Sequence, residues 1–363
     1  MTIVTTTAYE DAGVRGHGDG LASIRRHLGA TFGAVGGVEV LTDFGHYASV
    51  LKVADDLAVA VSTDGVGSKT LLAAALGRFD TIGFDCVAMN VNDILCVGAR
   101  PIALVDYLGV HDLDDVRMEG ILEGLGAAAK NAGIAIPGGE IAQLPEVIGP
   151  DGDAFDLVGT CIGIVHPDRL VLGRDIVEGD AVIGIRSSGI HSNGLTLARH
   201  MLLGRAGLSL EEPAGPVSVP LGQELLRPTE IYVRAITSLW SAGLATPGLA
   251  HITSDGLANL CRLEAPTGFS IEHLPETPPI FQLIQQTGAV DDAEMFRVFN
   301  MGIGFVVVVR DDDTDDAVEV IRGCGYGADR IGTATGDPGV TTIGPPNLVA
   351  RRLSGELTIS AGG

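Results

Sequence analysis

Uninterrupted apolar runs alternate along this chain with stretches in which apolar positions recur every three or four residues, the mixture that buried strands and amphipathic helices produce in turn. The run 57–61 is apolar throughout, as in a strand buried on both faces, and Ser62, Thr63 and Asp64 end it in polar side chains. Further strands are predicted at 102–108, 134–136, 155–165, 181–185 and 305–309, and helices at 20–28, 70–76, 87–97, 120–132, 195–203, 228–240 and 282–286. Pro137 to Glu140, with its two glycines, reads as a tight turn, and the tail after Gly336 carries no distinctive signal. The charged stretch 166–180 breaks the apolar rhythm and marks a domain boundary. The pattern predicts a flexible Gly-rich arm or lid over 1–50, an N-terminal α/β domain over 51–168 and a C-terminal α/β domain over 169–363.

Composition narrows this picture. The 363 residues suffice for two domains, and 51 glycines with 4% aromatics favour tight turns and small-residue packing. With 23 basic against 46 acidic residues the formal charge is −23, which repels nucleic acid and anionic lipid, and no basic patch is visible along the sequence. Five cysteines without a C-x-x-C pair read as buried free thiols in a reducing compartment. The first residues lack signal-peptide character and no apolar run approaches membrane-spanning length, so a cytoplasmic protein is expected.

The candidate chemistry begins where the first long strand ends. Asp64 stands at its tip, Gly65 and Gly67 allow backbone N–H groups to approach an anion, and Lys69 adds a point charge. The spacing is not that of a P-loop, because Ser68 separates Gly67 from Lys69, and an ordinary glycine turn with a solvated lysine is the plain alternative. Asn90, Asn92 and Asp93 interrupt the apolar face of the helix at 87–97, and Asp106 interrupts a strand. Asp64, Asp93 and Asp106 thus form a set of carboxylates on neighbouring elements, of the kind that holds Mg²⁺ together with substrate phosphates. In Arg186 to Gly194, RSSGIHSNG, His191 and Asn193 sit before a helix, where a histidine serves as acid, base, phosphate contact or simple cap.

Seven motifs in order carry a family likeness: YEDAGV from Tyr9, STDGVGSK, DTIGFDCVAMNVNDILCVGARP, GGE at Gly138 to Glu140, SSGIHSNG, LLRPTEIYV and MFRVFNMGIG. Together they resemble phosphoribosylformylglycinamidine cyclo-ligase, also called aminoimidazole ribonucleotide synthetase, from Tyr9 to about residue 309. The resemblance implies ATP-dependent ring closure of formylglycinamidine ribonucleotide, through phosphorylation of its amide oxygen, in purine biosynthesis. It implies ATP and Mg²⁺ as cofactors, a phosphoribosyl amidine as small-molecule substrate, and a homodimer joined through the N-terminal sheet. Asp64 and Asp93 are then expected to hold Mg²⁺, and Lys69 to contact phosphates. Gly65, Gly67, Asn92, Asp106, Gly139 and Glu140 are expected at the nucleotide. His191 and Asn193 are expected to face the reacting amide.

Two departures stand out. Ile141 replaces the threonine of the family's Gly-Gly-Glu-Thr-Ala, and Thr253-Ser254-Asp255-Gly256 replaces a Thr-Gly-Gly-Gly turn. The latter is similar to a turn of thiamin-monophosphate kinase, so Asp255 is expected as an additional Mg²⁺ ligand. Alternative readings are a related kinase or amidotransferase-synthetase type of enzyme, and a nucleotide-binding paralogue without catalysis.

Overall fold

A computed structural model describes residues 7–14, 20–353 and 356–362. Residues 1–6 and 15–19 of the expected arm lie outside the described residues. The first sheet is built from β1 (Glu39–Val40), β2 (Ser49–Ala54), β3 (Leu57–Gly65), β4 (Arg100–Val110), β5 (Ala135–Gln143) and β6 (Phe155–Val165). Its order is β1-β2-β3-β6-β4-β5, antiparallel except for β4 and β5. A helical crossover between those two makes them parallel. The second sheet contains β7 (Ala181–Arg186), β8 (Gly248–His251), β9 (Gly268–Ile271), β10 (Ile303–Val309), β11 (Ala328–Thr335), β12 (Val340–Ile343), β13 (Leu348–Leu353) and β14 (Glu356–Ala361), in the order β14-β13-β12-β9-β11-β7-β10-β8.

Helices α1 (Ala8–Asp11), α2 (Gly20–Leu28), α3 (Lys69–Leu76), α4 (Ile82–Cys96) and α5 (Asp115–Ala132) belong to the first half of the chain. Of these, α4 positions the site. It lies on one face of the first sheet, packs against α5, and meets β8 of the second sheet on its other side. Thirteen of its fifteen residues are buried, so the polar groups it carries must find partners inside the protein. Glycines let it approach so closely: a Cβ on Gly159 would lie 2.7 Å from the Asn90 side-chain nitrogen, and one on Gly124 would collide with the Asp80 carbonyl at the α4–α5 contact.

Among the described residues no helix packs over the opposite face of the first sheet. Ala58 and Ala60 of β3 are fully buried, but Val59 and Val61 are only half-buried and Leu57 is exposed. Val105 and Tyr107 of β4 and Ile164 of β6 continue the same exposed apolar face, as their register with Thr160, Val158 and Val59 requires. A strand whose composition suits two buried faces therefore buries one within this chain.

Several expectations are revised. The turn read at Pro137 to Glu140 is continuous strand, held by its parallel pairing to β4. The helix expected over 228–240 forms only as Val233–Ser241, because the backbone N–H groups of Thr229 and Tyr232 are captured by Asp85 and Asn92. The tail after Gly336 adds three strands to the second sheet. The arm is partly docked: the α1 backbone N–H groups of Ala8 and Tyr9 donate to Glu294 at 3.0 and 2.8 Å, and Arg297 lies over the Tyr9 ring. The first of the seven motifs thus meets the last at Arg297 and at Glu294 just before it, although 285 residues separate Tyr9 from Glu294.

Candidate active site

Three loops converge where α4 meets the second sheet. The first, Val66 to Ser68, follows β3 with Asp64 at the strand tip, the second is the SSGIHSNG segment after β7, and the third, Ile252 to Gly256, follows β8. Side chains tie the junction together: Ser68 Oγ lies 3.0 Å from Thr196 Oγ1 at the start of the helix after the second loop, Ser254 Oγ of the third loop donates to Asn193 Oδ1 of the second at 2.9 Å, and His251 Nδ1 of β8 lies 2.9 Å from Asp93 Oδ1 of α4. A carboxylate only accepts, so the His251 proton sits on Nδ1. Its Nε2 then faces the Asn92 amide at 3.5 Å. A cavity of about 1010 Å³ lies elsewhere, between the 164–177 segment and Trp240 to Pro247, and includes none of the expected site residues.

Asp64 and Asp93 form the acidic centre. The Gly65 N–H donates to Asp64 Oδ1 at 2.8 Å. Burial, followed by the neighbouring Asp93 charge, nevertheless pushes the Asp64 carboxyl up to about 6. Two oxygen-donor groups crowded together without a compensating cation fit Mg²⁺, which takes one or two carboxylates and completes its shell with phosphate and water. No larger set is assembled: among the described residues no group of three or more His, Cys, Asp or Glu is arranged to hold an ion. Asp255 is turned instead toward Arg262, with its carboxylate 3.4 Å from that guanidinium. Its backbone is left-handed at φ 75°, and its N–H is held by the Arg297 carbonyl at 2.7 Å. The expected third metal ligand is thus engaged as an ion pair.

Asp106 lies in one cross-strand row with Asp64. Asp64 and Asp106 both pair with Gly159 of the strand between them, and Asp106 pairs with Gly139 on its other side. The row places both carboxylates on the α4 face, and Gly139 is required because a Cβ there would strike the Asp106 carboxylate. Partial burial raises the Asp106 carboxyl above its usual range. Glu140 is in register with Tyr107, one position along, and so points to the opposite, uncovered face. Asp106 and Glu140, expected together at the nucleotide, are on different sides of the sheet. Ile141 returns to the Asp106 face and is exposed.

Three further expectations are relocated to the interior. Lys69 is completely buried: its ammonium donates to Asp85 Oδ1 at 2.8 Å and to the Arg227 carbonyl at 2.5 Å. The same Asp85 oxygen accepts from the Thr229 N–H at 2.7 Å and hydroxyl at 2.6 Å. Burial lowers the Lys69 ammonium from its ordinary value, against the pull of Asp85. Lys69 therefore ties α3 and α4 to the 227–229 segment rather than reaching an open phosphate site. Asn92 is fully buried, donating to the Glu230 carbonyl at 2.9 Å and accepting from the Tyr232 N–H at 3.0 Å. His191 is 2% exposed, and its Nε2 accepts from the N–H groups of Ser188 at 3.3 Å and Glu230 at 3.5 Å. Burial, then the neighbouring His251 and Lys69, hold its pKa well below the ordinary histidine value, so the ring is neutral and braces the loop. Gly67 remains open, with φ 69° and nothing near the position of a Cβ, while Gly65 is part of the strand.

Two family models match the chain: AIR synthase related protein, N-terminal domain, over residues 45–165, and its C-terminal domain over residues 177–344. The chain belongs to the AIR synthase family. Phosphoribosylformylglycinamidine cyclo-ligase of Methanobrevibacter smithii is 49% identical over 284 residues, covering 78% of this chain and 82% of that protein. The Thermococcus kodakarensis protein of the same name is 49% identical over 302 residues, covering 83% and 86%. Among solved structures, a HypE-HypF complex matches with TM-score 0.59 at 22% identity, over 88% of this chain and 93% of that one. Thermotoga maritima PurL complexed with FGAR matches with TM-score 0.55 at 18% identity, over 84% and 46%. These last two show a shared fold.

Sequence reading of this AIR synthase family member missed Asp85, Thr229 and His251. Asp85 lies before the helix expected over 87–97, whereas the helix starts at Ile82, and a single histidine at a strand end carries no signal. Two predictions follow from the geometry. Asp85→Asn leaves the Lys69 ammonium buried and unpaired, and is expected to cost about 3–5 kcal/mol in urea unfolding. Asp64→Asn acts in the opposite direction. The folded carboxyl titrates near 6 and the unfolded one near 3.8, so the folded state loses stability as pH rises through this window. In EDTA at pH 8 the variant is expected to be about 1–3 kcal/mol more stable than the parent, the gap closing toward pH 4. A calorimetric pH series measures it.

Proposed function

We propose that the protein closes the imidazole ring of aminoimidazole ribonucleotide from formylglycinamidine ribonucleotide, with hydrolysis of ATP to ADP and phosphate. The observation that carries this reading is the near-half identity, over about four-fifths of the chain, to relatives named for that reaction. The convergence of loops from both halves of the chain at Asp64 and Asp93 supports it, because the reaction must hold two anionic molecules against each other.

The chemistry needs a phosphoryl group delivered to a poor leaving oxygen. Asp64 and Asp93 are the residues proposed to hold Mg²⁺, which supplies charge neutralisation at the phosphates when bound. The Gly65–Ser68 loop, left open at Gly67, is proposed to bring backbone N–H groups to the same phosphates. Asn193, reached from the third loop through Ser254, presents its amide at the junction and is proposed to orient the reacting amide. Lys69, Asn92 and His191 act as positioning residues: they fix α3, α4 and the second loop from within. Asp106 is proposed to lie beside the nucleotide, on the same row as Asp64.

The uncovered apolar face of the first sheet supports a homodimer, since Leu57, Val105, Tyr107 and Ile164 are left exposed together in a single chain. Among the described residues no helix is long and apolar enough to cross a membrane. With five free cysteines, this supports a cytoplasmic location.

The test is turnover with ATP, Mg²⁺ and formylglycinamidine ribonucleotide, following ADP and the imidazole product together. Equal appearance of both, reduced at least a hundredfold in Asp93→Asn, is expected. ADP formation without the imidazole would reassign the protein to another amide or phosphate acceptor, and binding of ATP without any turnover would make it a non-catalytic paralogue.

A further inference from the structure

A second group of polar side chains has no part in the loop junction. A cavity of about 310 Å³, roomy enough for a phosphorylated sugar, is lined by Arg25, Arg262 and Arg352 together with His46, Asp43 and Glu264. Both ring nitrogens of His46, and the Nε of Arg25, are sealed from solvent and have no hydrogen-bond partner. Among the described residues Arg352 has no hydrogen bond or ion pair either, and it packs against Gly45, whose φ of 95° admits no side chain there without strain. The carboxylates compensate Arg25 and Arg262 in part and leave Arg352 without a counter-charge. Asp43 is well exposed and 3.7 Å from Arg25, Glu264 is tied to Arg174 at 2.6 Å, and Asp255 meets only Arg262. Buried polar atoms without partners cost free energy, and like charges drawn together cost more. Burial, then Arg262, Arg352 and Arg174, hold the His46 ring down to about 4, and burial with Arg25 and Arg262 lowers the Arg352 guanidinium. An anion in the cavity relieves both groups.

We propose that this cavity binds a phosphate monoester, the 5′-phosphate of the phosphoribosyl substrate. Arginine forks match phosphate oxygens bidentately, and the two orphan His46 nitrogens supply a donor and an acceptor in the same wall. The assignment rests on the cyclisation reading, which requires two anionic molecules in one site while Asp64, Asp93 and the Gly67 loop serve only one of them. Position supports it. Arg262 meets Asp255 of the third loop and lies over the Tyr47 ring, and the buried Tyr47 hydroxyl, which donates to the Asn259 carbonyl, feels the charge of Asp93. Arg25 precedes residue 45 and Arg352 follows residue 344, so two of the three arginines come from outside the segments that the family models match.

The experiment uses the full chain and inorganic phosphate as probe, by calorimetric titration, alongside steady-state kinetics. Arg352→Met is expected to weaken phosphate binding about tenfold or more and to raise the KM for formylglycinamidine ribonucleotide by a similar factor, well beyond any fall in kcat. The KM for ATP is expected to stay within about twofold, and Arg352→Lys to recover part of the loss. Arg25→Gln provides the same readout should the first variant fold poorly. Phosphate binding that is unchanged in both variants overturns the site, and a rise in KM for ATP instead of the ribonucleotide overturns its assignment to the substrate. Phosphate binding that depends on Arg352, in a protein that does not turn over the ribonucleotide, leaves the anion site standing and removes the cyclisation reading.

Discussion

The structure depends on one buried charge pair. Lys69 and Asp85 are both shielded completely from water, at a cost offset in part because one Asp85 oxygen accepts three hydrogen bonds and Lys69 donates to a carbonyl besides, while the other Asp85 oxygen has no partner. The pair and its partners come from α3, α4 and the segment Arg227 to Thr229, so it ties the two halves of the chain together. Asn92 repeats the device one and a half to two turns further along α4, and Asp93 and Cys96 extend it to His251. A helix of mostly apolar residues thereby carries one polar stripe, and that stripe is the seam.

The seam explains why the loops meet. With α4 fixed against β8, the strand tip at Asp64 faces the helix position of Asp93, and the loops after β7 and β8 fall beside them. The acidic centre is therefore a product of docking between sheets. Burial, and then the neighbouring Asp93 charge, raise the Asp64 carboxyl, and a divalent ion would offset both on binding.

Much of the fold was legible because apolar periodicity survives in long elements: the strand expected over 155–165 matches β6, and the helix expected over 20–28 matches α2. What escaped reading was decided by tertiary contacts. Residues 228–232 have the composition of a helix, but Thr229 and Tyr232 give their N–H groups to Asp85 and Asn92, and Gly139 serves close packing against Asp106 rather than a turn. Lys69 looked like a phosphate contact because it follows a glycine loop, and only the structure supplies its buried partner. The arginine cluster was invisible for a different reason: Arg25, Arg262 and Arg352 are far apart in a strongly acidic sequence, and Arg352 joins the other two only through the tail strand β13.

The central claim is that Asp64 and Asp93, brought together by the α4 seam, hold the metal of a metal–nucleotide complex. The most direct measurement replaces Mg²⁺ with Mn²⁺ and follows ATP-dependent Mn²⁺ binding to the full chain by electron paramagnetic resonance. Binding to the parent, weakened at least tenfold in both Asp64→Asn and Asp93→Asn but within about twofold of the parent in Asp255→Asn, is the expected result. Equal binding in the parent and in the Asp64 and Asp93 variants would place the metal elsewhere and contradict it.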